Sequence, residues 1–134
     1  MLLKKTLLLT GLFILTFCIT YGLHFKILEW TNAAPLQYSL INMYIFHAIF
    51  SAVICIACTL IANLSSSYKN QIGFIYVFSM VFKASFFGML FNDILFSDLV
   101  LNNIDNISLL IPLFIFLTIE VVIISKILNA ITFK

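Results

Sequence analysis

Four long apolar runs, each closed by a cluster of polar or turn-forming residues, divide this chain, and each is close to the roughly 20 residues that a helix needs to cross a bilayer. They run from Thr6 to Leu23, Tyr38 to Ala62, Gln71 to Phe91 and Ser108 to Leu128. Asn32 and Pro35 interrupt the uncharged stretch from Trp30 to Tyr68, which is too long for one helix, and Asn63-Leu64-Ser65-Ser66-Ser67 marks the next turn. Asn102, Asn103, Asp105, Asn106 and Ser108 form a cluster suited to capping the fourth helix. Pro112 is then expected just inside its first turn, where a missing amide proton costs little. The pattern predicts an all-α integral membrane protein: one domain over residues 1–134, four transmembrane helices, and antiparallel hairpins between helices two and three and between three and four.

Composition agrees with that reading. Hydrophobic residues make up 63% of the chain and charged residues 9%, with a mean hydropathy of +1.19, and a soluble surface needs far more charge. The longest stretch between predicted spans, Asn92 to Ile107, leaves no room in these residues for a nucleotide-binding fold or a large active site outside the membrane. A formal charge of +2 gives no footprint for nucleic acid; the expected surroundings are lipid.

The few charges set an orientation, because short cytoplasmic loops collect Lys and Arg. Lys4 and Lys5 precede the first span, Lys69 lies between the second and third, and Lys126 and Lys134 close the chain, all on one side. The other side carries Lys26 with Glu29, then Asp93, Asp98 and Asp105. Both termini are therefore expected in the cytoplasm. Trp30, Tyr38 and Tyr68 fall near the proposed interfaces, where amphipathic rings sit well. Lys4 and Lys5 ahead of an apolar run are also how a signal peptide begins, and Leu15-Thr16-Phe17-Cys18 faintly resembles a lipoprotein box. Cleavage favours small residues, whereas Phe17 precedes the cysteine and no Ala-x-Ala follows, so the first helix is expected to be retained.

Polar residues inside the spans fall on faces. Tyr44, His47, Ser51, Cys55 and Cys58 recur at intervals of three or four and form one stripe on the second helix; Tyr76, Ser79 and Lys83 do the same on the third. Lipid offers no hydrogen bonds, so such stripes are expected to pack against other helices. Cys55-Ile56-Ala57-Cys58 has the spacing of a redox or metal motif but lies in an apolar helix without a second pair, which favours free buried thiols. His47 has no carboxylate on its own helix, and hydrogen-bonded packing is expected ahead of metal binding. A glycine-rich phosphate loop, a nucleophile elbow and a close carboxylate pair are all missing from the sequence. The expectation is a protein without catalytic residues, metal or cofactor.

Lys83 and Glu120 are the ionisable base and acid placed deepest in the apolar runs. A central Lys costs roughly 2.5 to 3.5 kcal/mol on insertion scales, which makes an intramembrane charge a functional candidate by default. At 1.5 Å per residue Lys83 lies about 18 Å into the third helix and Glu120 about 12 Å above the cytoplasmic end of the fourth, an offset of about 6 Å. Side chains lean toward their own helix N-terminus, so in antiparallel neighbours the two lean toward each other. An internal ion pair and a charge reserved for a partner protein or ion are both consistent with this placement.

Phe78-Ser79-Met80-Val81-Phe82-Lys83, followed by Leu90-Phe91 and Leu109-Leu110-Ile111-Pro112-Leu113, resembles the second half of ATP synthase protein I, a four-span family. That family carries Gly-Glu-x-x-Lys in the third helix and Leu-Pro-Asn at the start of the second; Leu40-Ile41-Asn42 resembles the latter and adds Asn42 to the candidates. The chain departs where the family's glycine and glutamate fall at Ser79 and Met80, so Lys83 lacks its neighbouring acid and Glu120 could supply the charge. The chain is also similar to a short bacterial membrane family encoded beside ATP synthase genes. These resemblances imply an accessory factor in the bacterial cytoplasmic (inner) membrane that helps assemble the rotor (c) ring of F-type ATP synthase. They also imply a link to divalent cation transport (Mg or Ca) with a small membrane partner, although hard cations need several oxygen ligands and the spans hold one carboxylate. A structural subunit of another membrane complex needs only the packing faces.

Overall fold

The computed structural model describes residues 1–132, and Lys134, assigned above to the lysine-rich side, lies outside them. The described residues form α1 (Leu2–Trp30), α2 (Leu40–Leu64), a 3-10 turn (Lys69–Gln71), α3 (Ile72–Leu90), the short α4 (Asn92–Leu95) and α5 (Asn103–Thr132). No strand occurs among them. α1, α2, α3 with its preceding turn, and α5 are long and apolar enough to cross a membrane.

α2 is the axis of the bundle and packs against α1, α3 and α5, while α3 meets α5 over a smaller contact. Side-chain pairs fix the directions. Lys5 reaches Asn63 and His24 reaches Tyr44, so α1 runs antiparallel to α2. Phe87 packs on Phe46 while Lys83 meets Ser51, so α3 is antiparallel too. Gln37 meets Asp105 and Ser51 meets Glu120, so α5 runs parallel to α2. Two buried clusters fill the interior. Phe13, Leu40, Tyr44, Cys55 and Phe116 join α1, α2 and α5; Ile54, Cys58, Ile72 and Ile124 join α2, α3 and α5. Because lipid is as apolar as these side chains, close packing and internal hydrogen bonds, more than the hydrophobic effect, hold such helices together.

Loop chemistry explains where the helices stop. Asn32 has φ 48°, the left-handed region that Asn tolerates better than most residues. Its N–H bonds to the Glu29 carbonyl and that of Ala33 to the Leu28 carbonyl, a Schellman ending that satisfies two of the last carbonyls of α1. At the start of α5, Asn102 Oδ1 accepts from the Asp105 N–H at 2.9 Å, and Asp105 Oδ2 accepts from the Asn102 N–H at 3.0 Å. That reciprocal arrangement is a capping box with Asp in the acidic position.

Two expectations need correction here. Pro112 is not in the first turn of its helix but nine positions after Asn103, buried in the interior of α5. The turn-forming residues from Asn103 to Ser108 are helical, because the cap sits earlier, at Asn102. Asp105, from the cluster suited to capping, does cap the helix and is 1% exposed: its second oxygen accepts from the Gln37 N–H at 3.3 Å while its backbone carbonyl accepts from Tyr38 Oη at 2.8 Å. One carboxylate thus caps α5 and pins the α1–α2 connection to it.

Replacing Asp105 by Ala should therefore lower stability by about 1 to 2 kcal/mol, the usual cost of a lost cap. Replacing the exposed Asp93 should stay within about 0.5 kcal/mol. Reversible unfolding in lipid-detergent mixtures compares the two, and equal losses would remove Asp105 from its structural role.

Candidate functional site: a buried charge pair between three helices

Three helices each contribute one polar side chain to a single point inside the bundle. The face carrying Tyr76, Ser79 and Lys83 turns α3 toward α2 and α5, and Lys83 is 5% exposed. Ser51 comes from the stripe on α2 and Glu120 from α5; both are fully buried. Lys83 Nζ donates to Ser51 Oγ at 2.9 Å and to Glu120 Oε1, and the Ser51 hydroxyl donates to the same carboxylate oxygen. Lys83 and Glu120 are thus a direct ion pair with Ser51 as the third member. Each charge alone would be expensive at this depth; together they cancel, and the hydroxyl satisfies part of what remains.

Around the pair lies a rim of polar atoms with no hydrogen-bond partner among the described residues: both ring nitrogens of His47, Tyr76 Oη and Glu120 Oε2. His47 is one turn before Ser51 on α2, 1% exposed, with its ring against Phe46 at 5.2 Å and Phe87 at 5.3 Å. The hydrogen-bonded packing expected of His47 is not found; aromatic packing takes its place. Tyr76 packs from α3 onto the cluster that contains Ile124, one turn beyond Glu120. Cys55 and Cys58 are buried free thiols in the same region, and Cys18 is free and exposed.

The structure does not bring every candidate here. Asn42 is exposed on α2, and Ser79 turns its hydroxyl to the Ile75 carbonyl of its own helix at 2.7 Å. Tyr44 belongs to a second polar network nearer the other end of the bundle. There His24 Nδ1 meets Tyr44 Oη at 2.9 Å and His24 Nε2 meets Ser108 Oγ at 3.1 Å, so both ring nitrogens have a hydroxyl partner. Sequence reasoning overlooked His24 because the first span was ended at Leu23. Running the apolar pattern through to Trp30 would have placed an imidazole at membrane depth and marked it. Among the described residues no three of His, Cys, Asp and Glu converge as metal ligands.

Residues 2–131 match the family of unknown function DUF6168, and the chain belongs to that family. No curated protein matches the chain, and no solved structure does.

The pair makes a quantitative demand on stability. Lys83→Met leaves Glu120 buried without its cation and should cost about 3 to 5 kcal/mol. Adding Glu120→Gln should recover part of that loss, giving a coupling of about 0.5 to 3 kcal/mol in a double-mutant cycle. Additive single effects in the same unfolding measurement would show that the two side chains do not meet in the bilayer.

Proposed function

We propose that this chain is a non-enzymatic accessory protein of a membrane complex, acting by presenting α3 to a helical membrane partner. The observation that carries this reading is the unequal embedding of α3. Of its nineteen residues only Ile72 and Lys83 are buried, so one long side is left to the bilayer and to whatever helix approaches there. Phe74, Phe78, Phe82 and Met89 lie along that exposed side. A helix packed along one side, through Ile72, Phe87 and the Lys83 contact, can shift when a partner packs on it at lower cost than one embedded on all sides, since mobile elements come from the sparsely packed parts of a fold.

The partner implied by the resemblance to ATP synthase protein I is a hairpin subunit of the F-type rotor ring, whose buried carboxylate has the chemistry to engage an ammonium within the membrane. The Lys83 ammonium is held by Glu120 and Ser51, so a partner carboxylate would engage it by exchange with Glu120. In this reading the lysine-bearing end of the bundle, with Lys5 beside Asn63 and Lys69 in the adjacent turn, faces the cytoplasm of a bacterium. A non-catalytic subunit of another membrane complex would use the same exposed side of α3 with a different occupant.

Lys83→Gln tests the exchange. It keeps a polar side chain and removes the charge that selects a carboxylate. Rotor-ring yield and the level of this chain are measured in the same membranes. Because the change also leaves Glu120 without its cation, the level of the chain is expected to fall, and the result that supports the exchange is a yield of assembled ring per inserted copy of the chain that falls clearly further. Normal ring yield beside a normal level of the variant would reject the rotor reading, and recovery of a different complex with the tagged wild-type chain would assign it to that complex instead.

A further inference from the structure

We propose that the layer around Lys83 and Glu120 is a binding site for water inside the bundle, in which water bridges the His47 ring to the Lys83 ammonium. The donors and acceptors left over in this layer define what can occupy it. A neutral His47 offers one donor and one acceptor, and neither has a partner among the described residues. Lys83 has three N–H donors and gives two of them to Ser51 and Glu120, which leaves a third. His47 lies one turn before Ser51 on α2, and His47 and Glu120 are at most 1% exposed.

Charge balance selects the occupant. Lys83 and Glu120 cancel, so a charged ligand would leave net charge at membrane depth, whereas a small neutral molecule with both donors and acceptors would not. Water is the smallest such molecule, and sites of this kind, with two to four polar partners each, are where proteins hold it. Its role is distinct from partner binding: it would make the interior contact between α2 and α3 a wet one, so that the ammonium keeps a partner when it parts from the carboxylate.

The molecule contains its own comparison, a second buried histidine whose ring nitrogens already have protein partners. Its two histidines are His24 and His47, both buried, but His24 has both ring nitrogens occupied by Tyr44 and Ser108. Water-edited solid-state NMR on the full chain in lipid bilayers, with nitrogen-15 in His and Lys, reads how fast magnetisation passes from water to each side-chain nitrogen. The His47 signal is identified without any variant by its contacts to the Phe46 and Phe87 rings. The expected result is build-up at His47 and Lys83 several-fold faster than at His24. His47→Phe, which removes the bridging nitrogens and keeps an aromatic ring beside Phe46 and Phe87, is expected to slow build-up at Lys83 while leaving His24 unchanged; unchanged build-up at Lys83 would overturn the proposal. Build-up at His47 and Lys83 as slow as at His24 would overturn the proposal.

Discussion

The contact that decides this architecture is the one in which a lysine from α3, a serine from α2 and a glutamate from α5 meet out of water. Apolar side chains cannot specify how α3 sits, because in lipid they are nearly as well solvated outside the bundle as inside it. Charges can, since an ammonium or carboxylate facing hydrocarbon is costly at every rotation of the helix but the one that pairs it. Lys83 therefore sets the rotation of α3, and Glu120 and Ser51 set the height at which it docks. The adjacent packing of Ile72 on Ile54, Cys58 and Ile124 follows from that setting.

The rest of the bundle obeys the same logic with neutral groups. α1 buries Leu9, Phe13 and His24, and its position is fixed by the imidazole held between Tyr44 and Ser108 together with the stacking of Phe13 on Phe116. At the same end of the molecule the Asp105 carboxylate joins the α1–α2 connection to the start of α5. Polar contacts thus recur along α2, the helix that every other long helix touches. The bundle is tied at Asp105, at His24 and at Lys83, and α3 is reached only by the last of these.

The helical class and its four spans could be read from the sequence because a membrane span is a matter of length and apolar content, both of which are local. The faces were legible for the same reason: Tyr44, His47, Ser51, Cys55 and Cys58 fall on one stripe at helical spacing, and all five are buried. The mutual lean of Lys83 and Glu120 followed from helix geometry, but not the choice between an internal pair and a charge held for a partner, which depends on how helices rotate. Ser51 as third member, the unpartnered ring of His47 and the burial of Asp105 depend on contacts between residues 32 or more positions apart, and no local pattern carries them. His24 and the true start of α5 were missed at the ends of spans, where polar residues belong equally to a loop and to a helix that extends beyond the hydrocarbon.

The central claim is that Lys83 and Glu120 are in direct contact within the membrane. A rotational-echo NMR measurement between nitrogen-15 at Lys83 Nζ and carbon-13 in the Glu120 carboxyl group, made on the chain in lipid bilayers, reads that distance itself. The account predicts strong dephasing from a nitrogen within about 4 Å of the carboxylate, the range of a formed ion pair. Its absence in a folded, inserted chain would contradict the account and leave the placement of α3 without its cause.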